Sequence, residues 1–279
     1  MLLTLALTCL IGGLAIQNTN GLQHHTVSYE NGRLHVVEIG GGNKAVIFVP
    51  SLAGTWEQFA AAARAISGTH HAVIVEPRGH GQSTPPRDGN YAIEAYANDI
   101  AAVVKARDIR DSVLVGHSFG AGVAVAYAAA NPTRVRALVL VDPIGDPSRT
   151  PRQDMAPFLA ALEKDYETTI AGYWRTILKG ANKSVTADVM AAMAKTPRTT
   201  VIESMKASGR FEAVKSIEQY GGPIVSVISE LNNFPFSLHV LVPRIRVHRL
   251  QGVSHWLQLD RPDQFHGLLA DILKQYGAR

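Results

Sequence analysis

The chain of 279 residues has one cysteine, Cys9. A lone cysteine near the N-terminus leaves the rest of the chain without an internal disulfide or a thiolate cluster, so a disulfide framework and a cysteine-held metal are both excluded. Runs of like charge are also missing. Lys and Arg number 27 against 23 Asp and Glu, and the formal net charge is only +4. Scattered basic residues of this kind give a solvated surface and no nucleic-acid footprint. Dinucleotide fingerprints and metal-ligand spacings are absent, so no cofactor or metal is expected. The longest apolar run, "MLLTLALTCLIGGLAI", is too short and too glycine-interrupted for a transmembrane helix. It is similar to the apolar region of a secretory signal, with small residues at Gly13 and Ala15, although no Lys or Arg precedes Arg33. Residues 1–22 are therefore expected to be a signal peptide or an N-terminal apolar arm. The first implies export to the periplasm or the outside, the second a cytoplasmic protein.

What is present is a globular composition, with 46% hydrophobic and 18% charged residues, enough for a sizeable core. Strand and helix signals alternate. "HTVSYENGRLHVVEI" reads as a hairpin turning at Asn31-Gly32. "KAVIFVP", "HAVIVEP" and "VRALVLVDP" are buried-strand runs, and "TWEQFAAAARAIS" and "YAIEAYANDIAAVVKARD" are helices. Such alternation implies an α/β fold, a mostly parallel sheet with helices on both faces. The rhythm breaks over 147–220, a stretch of helix formers with Phe158, Tyr166, Tyr173, Trp174 and Phe211 and no good strand. It resumes with "GGPIVSVIS" and "RIRVHRL" and ends in the helix "RPDQFHGLLADILKQY". The economical division is a core of 23–146 and 221–279 with a helical insertion at 147–220.

One junction carries chemistry. In "SVLVGHSFGAGVAVAYAAANP" a buried strand stops at Gly116-His117-Ser118-Phe119-Gly120 and becomes a helix at once. Small flanking residues permit a tight turn that exposes the Ser118 hydroxyl at a helix N-terminus. The Phe119 N–H is then placed to stabilise negative charge on a substrate oxygen. Gly-x-Ser-x-Gly is a short pattern, and the strand and helix around it supply the context. His255 in "LQGVSHWLQLDRP" follows a strand and precedes the last helix, where it can reach the serine as general base. His24-His25 and His70-His71 read as parts of exposed connections.

From about Arg33 to Tyr276 the chain resembles the α/β-hydrolase fold superfamily, in its serine-esterase-like branch. The carriers are the Gly-His-Ser-Phe-Gly elbow, "EPRGHGQS", "NPTRVRALVLVDP" and "GVSHWLQLDRPDQF". The resemblance implies a serine–acid–histidine order and makes residues 147–220 a cap over the site. "VPSLAGTWEQF" occupies the oxyanion-loop position, with Pro50-Ser51 where His-Gly is usual, so the second oxyanion N–H is expected from Leu52. The usual acid position falls on Asn232, which cannot carry the charge. Asp142, at the end of "VRALVLVDP", is the first candidate, because some relatives place their acid after that strand. Glu230 is the second, and a dyad or another acid stays open.

A serine nucleophile attacks a carbonyl and forms an acyl-enzyme. Hydrolysis of a small-molecule carboxylic ester is therefore the expected reaction, with Ser118, His255 and Asp142 as the triad and no cofactor. Cofactor-free perhydrolysis or haloperoxidation and carbon–carbon bond hydrolysis use the same residues. A hydrolase-like ligand receptor is the alternative outside enzymology.

Overall fold

The computed structural model describes residues 21–149 and 152–277. The signal-like segment, up to residue 20, lies outside them. Among the described residues eight strands form one sheet in the order β1-β2-β4-β3-β5-β6-β7-β8. They are β1 (Gln23–Tyr29), β2 (Gly32–Ile39), β3 (Ala45–Val49), β4 (His71–Val75), β5 (Ser112–His117), β6 (Val135–Val141), β7 (Ile224–Ile228) and β8 (Arg246–Arg249). β1 and β2 form an antiparallel edge, and every pairing from β4 to β8 is parallel.

The central strands are continuous apolar runs because both faces are covered. Val46, Phe48, Val113, Val115, Val139 and Val141 pack on one side against α1 (Glu57–Ile66) and the C-terminal helix. Their neighbours Ile47, Val49, Leu114, Leu138 and Leu140 pack on the other side against α2 (Ile93–Ala106) and α3 (Phe119–Ala130). This is the two-residue period of a pleated strand. A buried, bidentate ion pair joins the segment after β4 to α2: Arg78 Nε and Nη2 donate to Asp99 Oδ2 and Oδ1, each at 2.7 Å.

Between β6 and β7 the chain forms a single 3-10 turn, Pro147–Arg149, and then only helices: α4 (Arg152–Lys164), α5 (Tyr166–Ile177), α6 (Lys183–Lys195), α7 (Arg198–Ser208) and α8 (Ala213–Glu218). After β7 come the short α9 (Leu238–Leu241), β8, the short α10 (Leu257–Asp260) and α11 (Pro262–Tyr276). No helix among the described residues is long and apolar enough to cross a membrane.

Two local expectations fail. The hairpin turns at Glu30-Asn31, since Tyr29 pairs with Gly32 inside the ladder. Gly32 is required there because a Cβ would collide with the Thr84 hydroxyl. His24, His25 and His71 are strand residues, not connections, and His70 is buried. The His24 ring stacks on His35 at 5.1 Å, and His71 Nε2 lies 3.2 Å from Glu38 Oε2.

Candidate active site

The β5–α3 junction is as tight as its composition demands. Ser118 has φ +54° and ψ −115°, a region that L-residues enter at a cost of order 1–3 kcal/mol. A Cβ on Gly116 would collide with the Gly120 carbonyl, and one on Gly120 with the Val49 carbonyl. The Ser118 N–H donates to Val141 O at 2.9 Å, which ties the elbow to β6. Phe119 opens α3, where N–H groups have no intrahelical acceptor.

Ser118 borders a cavity of about 470 Å³, and Asp142, His255, Leu52 and Phe119 border it too. All five residues singled out in the sequence are therefore brought to one place. Glu230 is exposed and does not line the cavity. In the loop after β3, the Ser51 N–H is committed to Gln58 Oε1 at 3.1 Å, and Leu52 follows it at the cavity wall. No cluster of His, Cys, Asp and Glu suited to a metal ion occurs among the described residues.

Asp142 follows β6 with φ +41°, and its position comes from the sheet. β6 and β7 pair with Val141 opposite Val227, and the Asp142 N–H donates to Val227 O at 2.8 Å. This brings the carboxylate level with Ser229, whose N–H donates to Oδ1 at 2.8 Å and whose hydroxyl donates to Oδ2 at 2.9 Å. His255 Nδ1–H donates to the same Oδ2 at 2.6 Å. Burial pushes the Asp142 carboxyl up, but the His255 hydrogen bond, the imidazole's charge and the two Ser229 donors outweigh it. The net shift is downward, so the group is a carboxylate at neutral pH. Asn232 is buried and also lines the cavity. Its Nδ2 donates to Pro143 O at 2.6 Å, which ties the loop after β7 to the one carrying Asp142.

The His255 loop is held from three directions. The His255 N–H donates to Ile177 O, at the end of α5, at 3.1 Å. His117 Nε2–H donates to His255 O at 2.8 Å, and His117 Nδ1 accepts from Gln258 Nε2 at 3.2 Å. Burial, reinforced by the neighbouring His255, pushes the His117 imidazole down to about 3, consistent with the neutral tautomer these partners require. Asp260 accepts from the Ser254 N–H at 2.8 Å, the Ser254 hydroxyl at 2.6 Å and the Asn182 N–H at 3.0 Å. His117, Ser229 and Asp260 were not picked out from the sequence. His117 stands inside the elbow motif and Asp260 inside "LDRP", but each has a backbone partner far along the chain, the His255 carbonyl and the Asn182 N–H.

A strand-to-helix serine at the carboxyl ends of a parallel sheet shares a cavity with a histidine hydrogen-bonded to a buried carboxylate, an arrangement of the hydrolase type. The family profile described as alpha/beta hydrolase fold matches residues 44–211, more than half of the sequence, and the chain belongs to that family. It is 26% identical to an sn-1-specific diacylglycerol lipase of Mus musculus, over 82% of this chain and 80% of the lipase. It is also 26% identical to a 2-hydroxymuconate semialdehyde hydrolase of a Pseudomonas species, over 72% and 75% of the two chains. Among solved structures, a bromoperoxidase from Bacillus anthracis superposes with a TM-score of 0.80 at 16% identity, covering 90% of this chain and all of that one. An esterase from Exiguobacterium antarcticum gives 0.79 at 17% identity, covering 89% of this chain and 98% of that one. The two structures attest the fold.

Proposed function

We propose that the protein hydrolyses carboxylic esters through an acyl-enzyme, with Ser118 as nucleophile, His255 as general base and Asp142 as the acid. The observation that carries the reading is the 2.6 Å hydrogen bond from His255 Nδ1 to Asp142, at the cavity that Ser118 also borders. With Nδ1–H committed to the carboxylate, Nε2 is the nitrogen available to accept the Ser118 proton. The Ser118 oxygen adds to the ester carbonyl, and the resulting oxyanion accepts from the N–H groups of Leu52 and Phe119. His255 returns the proton to the departing alcohol. A water that loses its proton to His255 then attacks the acyl-enzyme, releases the acid and restores the serine. Asp142 stabilises the imidazolium in both halves. Residues 147–220 act as the cap, supplying Phe158, Tyr173, Trp174, Ile177 and Met205 to the cavity wall.

Hydrolysis of nitrophenyl esters from acetyl to palmitoyl, beside Ser118→Ala, tests the reading. Turnover that vanishes in the variant is expected, and the optimum chain length sizes the acyl side. No turnover on any ester overturns it. Peroxide-dependent oxidation would then mark a perhydrolase or haloperoxidase, diketone cleavage a carbon–carbon hydrolase, and ligand-induced stabilisation without turnover a receptor. Export is proposed from the apolar residues 1–22 and is checked by the mass of the mature protein.

A further inference from the structure

We infer that Phe234 and Phe236 form an aromatic subsite at the cavity mouth, which takes a ring in the alcohol portion of an uncharged substrate. The two rings lie face to face, with centroids 5.2 Å apart and planes within 4°. They flank Pro235 in a tight turn, Phe234 to Ser237, which brings the two rings together. Both line the cavity, yet Phe234 is 47% exposed. A lone exposed phenylalanine on a surface needs no explanation. This one borders the candidate site, and its segment is fixed in place.

The Phe234 N–H donates to the Ser237 hydroxyl at 2.9 Å, and the Ser237 N–H returns to Phe234 O at 3.0 Å. Phe236 O accepts from the Asp146 N–H at 2.8 Å. With Asn232 bonded to Pro143 O, the pair rides on the same bonded loops that carry Asp142. A ring platform held in this way loses little freedom when a ligand stacks on it.

The rest of the cavity points to the same chemistry. Aromatic residues make up 7% of the chain but seven of the 22 lining residues. Phe158, Tyr173, Trp174 and Trp256 form a continuous series of ring contacts, with centroids 5.4 to 6.4 Å apart. No Lys or Arg occurs among the described lining residues. An anionic substrate would therefore meet the Asp142 carboxylate without a counter-charge. The pair is assigned to the alcohol portion because that portion must leave to solvent before water attacks, and Phe234 is where the cavity wall meets solvent.

Two measurements test the subsite, one of them independent of turnover. Trp174 and Trp256 line the cavity, so tryptophan fluorescence reports binding of benzyl alcohol against cyclohexylmethanol. The benzyl ligand is expected to bind about fivefold more tightly, the scale of a ring–ring preference. Phe234→Leu, at an exposed position, should bring the ratio close to one. The second measurement rests on the proposed ester hydrolysis: kcat/KM for benzyl acetate should exceed that for cyclohexylmethyl acetate by a similar factor, and 4-carboxybenzyl acetate should be the slowest of the three. Equal binding of the two alcohols, or a preference that survives Phe234→Leu, overturns the subsite. Equal rates on the neutral and carboxylated benzyl esters overturn the charge selection. A benzyl-alcohol preference without ester turnover leaves the subsite standing and removes the hydrolytic reading.

Discussion

The two sides of the cavity are built on different principles. On the sheet side, the proposed acid and base are held by hydrogen bonds: Asp142 by Ser229 and His255, and the His255 loop by His117 and, through Ser254, Asp260. On the side of the inserted helices, Phe158, Tyr173, Ile177 and Met205 reach the cavity through apolar packing. Trp174 Nε1 is buried there without a partner among the described residues. Directional bonds fix atoms to fractions of an ångström, as proton transfer requires. Packing constrains volume more than direction, so one apolar side chain can replace another of similar size. The proposed chemistry is thus specified rigidly and the wall supplied by the inserted helices loosely, while Phe234 and Phe236 belong to the bonded side.

The largest test of that contrast is the acid. Asp142→Asn should lower kcat by about four orders of magnitude, as loss of the carboxylate does in serine proteases, while Glu230→Gln leaves the rate unchanged. A loss confined to Glu230→Gln would sink the assignment. Next comes the support of the histidine. Asp260→Asn weakens the bonds to Ser254 and Asn182 and should reduce kcat about a hundredfold, the scale of an ångström-level misplacement, with KM little altered. Phe158→Leu on the packed side should change KM a few-fold and leave kcat alone. Equal kcat losses in the two variants would erase the distinction between bonded and packed walls.

The buried histidines of the bonded side also make stability depend on pH. Burial holds the His117 imidazole down to about 3 and that of His80 to about 4, whereas both take up a proton near 6.5 in an unfolded chain. The stability they contribute is complete above about pH 6.5. As pH falls toward 4 the unfolded state binds more protons, and about 1.4 kcal/mol is lost per pH unit for each ring. Tm measured from pH 7 to 4.5 should therefore fall steeply. In His117→Gln the fall should be shallower from a lower start, and an unchanged slope would remove His117 from this account.

Much of this plan was legible in the chain. Continuous apolar runs marked β3 to β7, because strands buried on both faces have few polar positions to blur the signal, whereas the edge strand β8 is polar and partly exposed. Ser118 and His255 stood out because a tight turn and a loop histidine leave local marks. The choice between Asp142 and Glu230 did not, since both simply follow strands. The pairing of Val141 with Val227 supports the proposed acid, because it brings Ser229 to the Asp142 carboxylate and leaves Glu230 at the surface. His117 and Asp260 were hidden for a related reason. Their partners include the His255 carbonyl and the Asn182 N–H, and backbone groups carry no sequence signature.

Among the described residues, only four that are not glycine have positive φ: Ala53, Asp108, Ser118 and Asp142. Two of these are the proposed nucleophile and acid. Glycine would adopt the same backbone without strain, so stability alone would favour glycine over serine at 118, whereas Asp142 offsets its strain with the bonds it accepts from Ser229 and His255. A serine in so costly a conformation at 118 fits a trade of durability for the proposed reactivity. A version of this protein without the proposed nucleophile, Ser118→Gly, would shed that backbone strain and lose few contacts in exchange.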